Sequence, residues 1–259
     1  MNPLDYRPPV WLLVDANNQI VTTAYGFRGN ALAAPAVVND RLAQLVYRFQ
    51  PSKTIIAFDS GETFRHQLLP TYKSGRTRLP DIDKAIASAK RLFKKSGYTV
   101  FVAPGFEADD ILATCAKDAT DAGCRAVIYS ADKDLHQCIV AGEVSQLTRA
   151  AAKPNGAFEF SWKTATDLFV SNQVTPAQWV DFKCLVGDPS DKIEGVDSIG
   201  AQTAGRLLSD CGSIDGFYKN PFLAALSDRQ RVNLINAKPR MDLLRTLCTL
   251  RRDVPLEAA

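Results

Sequence analysis

The residues best equipped for chemistry in this chain are its acids. Seven fall in four short groups: Asp15, Asp59, Glu107 with Asp109 and Asp110, and Asp132 with Asp134. Two more, Asp188 and Asp191, follow Lys183 in a segment broken by glycine and proline. Imidazole and thiolate are poor alternatives. The two histidines, His66 and His136, stand in no recognisable triad or metal motif. The six cysteines (Cys115, Cys124, Cys138, Cys184, Cys211 and Cys248) show no Cys-x-x-Cys spacing and read as reduced thiols at core or helix positions. Carboxylates brought together repel, by about 1 to 4 kcal/mol per close pair depending on screening. Either their pKa values rise or cations settle among them. An all-oxygen set favours magnesium or manganese over zinc.

A basic segment accompanies the acids. Thr63 to Pro80 holds no acid and carries Arg65, Lys73, Arg76 and Arg78, with Phe64 and Tyr72 interleaved. One reading is a solvated loop. Directly after an acid-tipped strand, the other is a phosphate clamp with an aromatic for base stacking. The 259 residues include 31 Lys+Arg and 28 Asp+Glu, a formal charge of +3. Setting nine acids aside leaves 19 against those 31 bases. A near-neutral total thus hides an acidic pit in a basic body, which suits nucleic acid plus a divalent metal. Gly195 and Gly200 have the spacing of a nucleotide-binding loop, but the lysine that should follow is Ala201 and no strand precedes them. A glycine-bounded turn between short helices can instead point backbone N–H groups at a phosphate; a tight turn alone is the alternative.

These side chains need elements to carry them. Apolar runs at Trp11–Val14, Thr54–Phe58, Tyr98–Val102 and Ala126–Tyr129 read as strands. Ile82, Ile86, Ala89, Leu92 and Phe93 share a helical face, as do Ile111, Leu112, Cys115, Ala116 and Ala119. The alternation predicts an α/β fold, a mostly parallel sheet with helices on both faces, whose strand ends deliver the seven acids to one edge. Beyond about residue 160 helix signals dominate, including Trp162–Val170 and Pro176–Leu185. The expected division is a core over 1–160, carrying the clamp at 61–80, and a helical subdomain over 161–259. On a regular helix Asp109 points about 160° from Glu107. For both to face one site, the helix must begin just after an extended Glu107. No apolar run approaches the ~20 residues needed to span a bilayer, and the N-terminus lacks a signal-peptide pattern. The expectation is a cytoplasmic protein without a membrane partner.

Five motifs then carry a resemblance: LLVDANN from Leu12, FDSGETFRHQLLPTYKSGR from Phe58, GFEADDILAT from Gly105, YSADKDLHQ from Tyr129, and KCLVGDPSDKIEGVDSIGAQTA from Lys183. The sequence resembles the 5′-nuclease family of flap endonucleases and 5′→3′ exonucleases, including phage enzymes and the nuclease domain of bacterial family-A polymerases. The resemblance implies two magnesium or manganese ions. Asp15, Asp59 and Glu107 take the first, Asp132, Asp134, Asp188 and Asp191 the second, with Asp109 and Asp110 between. It casts Lys73, Arg76, Asp109, Asp132 and Lys183 as catalytic. Tyr72, Lys73 and Arg76 match arch residues. Gly195 to Ala204 matches a helix–three-turn–helix element, within 183–211, that grips duplex backbone and often holds potassium. DNA contacts are then expected at Arg65, Tyr72, Lys73, Arg76, Arg78, Lys192, Gly195, Val196, Ile199, Gly200, Gln202 and Thr203. The implied activity is hydrolysis of DNA at a 5′ flap, overhang or duplex end, leaving 5′-phosphate, by a monomer working with replication or repair proteins in a bacterial or phage-infected cell. Departures are Thr22 and Thr23 where a base is usual (Arg28 is the nearest substitute), Lys192-Ile193-Glu194-Gly195 for Asn-Ile-Pro-Gly, Ser198 for glycine, and Gln202 for lysine. Two competing readings are a flap-binding protein with decayed catalysis and a PIN-type ribonuclease.

Overall fold

The computed structural model describes residues 8–27, 30–152 and 158–256; Arg28 lies outside them. The chain divides into two units, one of Met1–Thr63, Thr77–Lys163 and Leu250–Ala259, the other of Phe64–Arg76 and Thr164–Thr249. This differs from a single cut near residue 160. Most of the basic segment belongs to the helical unit, and the last residues belong to the α/β unit.

The α/β unit runs β1 (Val10–Asp15), α1 (Ala16–Gly26), α2 (Ala34–Phe49) and β2 (Lys53–Phe58). After the excursion containing α3 (Phe64–Leu68), it continues with α4 (Ile82–Lys95), β3 (Thr99–Val102), α5 (Ala108–Asp121), β4 (Arg125–Tyr129), β5 (Val144–Ala152) and β6 (Phe158–Lys163). The sheet order is β3-β2-β1-β4-β5-β6. The first five strands are parallel, and β6 pairs antiparallel to β5. Leu12, Val14, Ile56, Phe58, Val127 and Tyr129 pack on α1, α2 and α4. Their alternate neighbours Trp11, Leu13, Ile55, Ala57, Ala126 and Ile128 pack on α5, joined by Leu250 and Val254. Burial on both faces is why these strands read as unbroken apolar runs. Each fully buried Leu, Ile or Phe contributes about 1.5–3 kcal/mol.

The last two strands escape the sequence pattern. β5 is interrupted by Gln146 and Arg149, and β6 ends at Lys163, inside the expected helix Trp162–Val170. The helix there, α6, is Ala165–Asn172. It is started by a capping box in which the Thr164 amide donates to Asp167 Oδ2 (2.8 Å) and the Asp167 amide to Thr164 Oγ1 (3.2 Å).

The helical unit contains α3, α6, α7 (Trp179–Val186), the two-residue strands β7 (Gly187–Asp188) and β8 (Ile193–Glu194), α8 (Ala201–Cys211), α9 (Ile214–Lys219), α10 (Asp228–Ala237) and α11 (Met241–Cys248). Leu185, Leu207, Leu208, Phe217 and Leu234 are wholly buried there. No helix among the described residues is long and apolar enough to cross a membrane.

Candidate active site

The acids of the α/β unit lie where sequence alternation placed them, at the carboxyl ends of the strands. β1 sits between β2 and β4, so the strand order reverses beside Asp15, the position where open parallel sheets bind ligands. Asp15 ends β1 and caps α1: Asn18 N–H donates to Oδ1 (2.9 Å) and Ser130 Oγ to Oδ2 (2.8 Å). Asp59 follows β2. Its amide donates to Asn17 Oδ1 (3.1 Å), and its Oδ1 accepts the Ala108 amide (2.9 Å) at the start of α5. Past β4, the Asp132 amide donates to Ser130 Oγ (3.1 Å), and Asp132 Oδ1 accepts the Asp134 amide (2.9 Å).

Burial and the neighbouring charges of Asp59 and Asp132 push the Asp15 carboxyl up from 3.8 to about 7, against the opposing bonds from Asn18 and Ser130. Like charges are therefore concentrated at the switch point.

Several supporting residues were missed. Gln146, fully buried, donates its amide to the carbonyls of Ser130 (2.9 Å) and Asp132 (2.7 Å), while its Oε1 lies 2.7 Å from His136 Nδ1. Asn17, Asn18 and Ser130 complete this scaffold. Their signal is proximity in sequence: two asparagines directly behind the first strand-end acid, and a serine directly behind β4.

Glu107 is extended (φ −90°, ψ 162°) and caps α5, as the helix geometry required for Asp109 to share its site. Asp110 has a different role from the one expected. Fully buried, it accepts the Glu107 amide on Oδ2 (3.1 Å) and the Arg251 amide on Oδ1 (2.9 Å). Its oxygens hold these two backbone amides in place, away from solvent.

Among the described residues, no three His, Cys, Asp or Glu side chains form a ready-made ion cage. Magnesium does not need one, because it binds through one or two carboxylates and keeps several waters. The donor set here is all oxygen, and the burial that raises Asp15, reinforced by its like-charged neighbours, is a penalty on the ionised form that a divalent cation relieves. The residues fit such an ion.

The helical unit holds the other two acids, each beside its own cation. Buried Lys183 lies 3.0 Å from Asp188 Oδ2. Burial opposes ionisation of Asp188, but Lys183 and the Ser190 donors hold its carboxyl below the usual range. Asp191 Oδ2 accepts the Tyr72 hydroxyl (3.1 Å), its Oδ1 pairs with Arg76, and its carbonyl accepts the Lys73 amide (3.1 Å). Two clamp expectations are thereby corrected. Tyr72 is 2% exposed and cannot offer a face to a base as it stands. Arg65 is 1% exposed and spends its guanidinium on the carbonyls of Leu247 (2.9 Å) and Thr249 (3.0 Å), the loose end of α11, rather than on phosphate. Arg76 is half exposed. Arg78, in the other unit, forms an exposed pair with Asp83.

In the turn before α8, Lys192 is exposed at positive φ (61°). The Val196 and Ile199 side chains are buried, so any contact they make is through backbone. Gly200 caps α8, leaving first-turn N–H groups at Ala201, Gln202 and Thr203 as natural anion donors.

A family model for the 5′-3′ exonuclease N-terminal, resolvase-like domain matches residues 11–165, and one for the 5′-3′ exonuclease C-terminal SAM fold matches 174–259. DNA polymerase I of Streptococcus pneumoniae is 35% identical over 217 residues, covering 83% of this chain and 24% of its own. The chain thus spans about a quarter of the length of the curated relatives it matches. Among solved structures, the phage T5 5′-exonuclease with bound zinc superposes with a TM-score of 0.75 at 20% identity, over 93% of this chain and 89% of that one. The phage T5 flap endonuclease in a product-like complex with DNA and metal ions gives 0.73 at 19%, with the same coverage. At those identities the likeness is one of fold. The two family models together cover nearly all of the sequence, and the chain belongs to the 5′-3′ exonuclease family.

Proposed function

We propose that this chain is a magnesium- or manganese-dependent nuclease that hydrolyses DNA phosphodiesters at 5′ ends or flap junctions and leaves 5′-phosphates. The observation that carries the reading is the buried, proton-holding Asp15 at the sheet's switch point, with Asp59 and Asp132 as like-charged neighbours. Divalent ions bound among such acids supply an activated water and neutralise charge on the phosphoryl and leaving oxygens. Asp15, Asp59, Glu107 and Asp109 hold one ion and Asp132 with Asp134 another, with Asp110 fixing the first turn of α5 beneath them. Within the helical unit, Asp188 and Asp191 would offer further oxygen ligands if released from Lys183 and Arg76, and those two cations, with Lys73, would then be open to a phosphate and its transition-state charge. The α8 turn holds duplex backbone without reading bases. The protein acts as a monomer in the cytoplasm of a bacterial or phage-infected cell, beside replication or repair proteins.

The test is cleavage of an end-labelled flapped duplex in magnesium, manganese, calcium and chelator, with product ends mapped. Metal-dependent release at the junction with 5′-phosphate ends is expected; no cleavage in any metal refutes it. A second reading, flap binding without catalysis, draws on the pairing of Asp188 and Asp191 with the protein's own cations. The same assay separates the two. Parallel RNA substrates test the ribonuclease alternative.

A further inference from the structure

The turn between α7 and α8 is built on a close backbone approach. A Cβ at Gly195 would lie 2.4 Å from the Val186 carbonyl carbon and 2.5 Å from Leu185 O, and the Val196 amide donates to Leu185 O (2.7 Å). No larger residue fits, and the strand is pinned with the carbonyls of Glu194 and Gly195 within reach of one group. That group is Arg240, which ends a short 3-10 turn (Lys238–Arg240) just before α11. Its Nη1 lies 3.4 Å from Glu194 O, and its Nη2 makes a closer contact with Gly195 O. Arg240 lines a cavity of about 1060 Å³ with Val186, Pro189, Lys192, Ser198 and Gly200. Of the two acids on the same cavity, Glu194 and Asp197, the second is engaged by Arg229 (3.6 Å).

Two successive carbonyls aimed at one positive group is the arrangement a desolvated monovalent cation would use. The family resemblance implies potassium in this element, but here a guanidinium already takes those oxygens. A potassium ion would have to displace a tethered cation or sit against it, and like charges at such range repel. The residues present do not fit the ion.

We propose that Arg240 is the resident cation of this turn, making the element and its grip on duplex DNA independent of potassium. The proposal rests on reading Gly195–Ala204 as the duplex-gripping element.

The test measures Tm, and affinity for an unflapped duplex in calcium, in potassium and in lithium chloride at equal ionic strength. For the wild-type chain, both quantities are expected to agree in the two salts, affinities to within about twofold. Arg240→Ala should bind about tenfold more weakly in lithium, the loss of charge-assisted bonds, and potassium should selectively restore affinity and Tm. Arg240→Lys should keep salt-independent binding. Wild-type affinity or Tm rising markedly in potassium over lithium overturns the proposal. So does an Arg240→Ala chain that matches wild type in lithium, or one that loses equally in both salts. If Arg240→Ala does not fold, the wild-type salt comparison still decides. A chain that binds no duplex in either salt defeats the nuclease reading instead, while its Tm still reports on Arg240.

Discussion

Replacing Asp15 with asparagine should stabilise the metal-free protein while disabling it. Raising a carboxyl from 3.8 to about 7 costs its ionised form about 4 kcal/mol relative to the unfolded chain. The folded state holds the proton more tightly, so this group's contribution is favourable below the ordinary value and is lost as pH rises through the window up to about 7. Asp15→Asn removes the charge and keeps an acceptor for the Asn18 amide, but its NH2 group must now meet Ser130 Oγ, which also accepts from Asp132. Allowing about 1 kcal/mol or more for that rearranged bond, the expected net gain is about 1–3 kcal/mol at about pH 8 in chelator. The gain should shrink to nothing toward about pH 4. Magnesium should narrow the gap from the other side, because ion binding stabilises the wild type by mass action and the variant far less. Urea unfolding of both chains across pH, with chelator and with magnesium, measures all three trends. A variant less stable than wild type in chelator at high pH would refute the argument from burial and like-charged neighbours, as would a gap that ignores pH.

Other substitutions separate catalysis from architecture. Asp132→Ala should abolish cleavage yet leave flap binding in calcium largely intact; normal turnover would overturn its assignment. Lys73→Ala should slow single-turnover cleavage by about 10²-fold or more while changing affinity little, whereas a change in affinity alone would remove its transition-state role. Arg65→Met should destabilise the protein by about 2–4 kcal/mol, because the buried Leu247 carbonyl and the part-buried Thr249 carbonyl lose their donors, without altering the salt slope of DNA binding. A flatter slope at full stability would return Arg65 to the phosphate contacts.

The acids were legible because the strands behind them are buried on both faces. Leu12 to Val14 and Ala126 to Tyr129 can only be apolar, so the first polar residue past each run marks the sheet edge. The start of α5 was legible for a related reason: one helical period fixes which of Glu107, Asp109 and Asp110 can share a site. What each acid accepts was not legible. The donors to Asp110 and Asp191 include the Arg251 amide and the Tyr72 hydroxyl, 141 and 119 residues away. Arg65 and Tyr72 mislead by residue type, since a guanidinium and a phenol near other bases suggest solvent and nucleic acid, while tertiary packing buries both. β5 hides because its polar Gln146 faces inward as a carbonyl clamp, which breaks the apolar run that announces the other strands.

The interleaving of the two units has a practical corollary for anyone dissecting the molecule. A fragment stopped at Lys163 would forfeit Leu250 and Val254 from its core, the Arg251 amide on Asp110, and the Val254 amide on Thr114 Oγ1 (3.2 Å). A fragment begun at Thr164 would forfeit Tyr72 and Arg76 from Asp191 and Arg65 from the end of α11. No single scissor cut yields either half whole, so deletion series will report collapse where they aim to map function, and point substitutions are the sounder instrument.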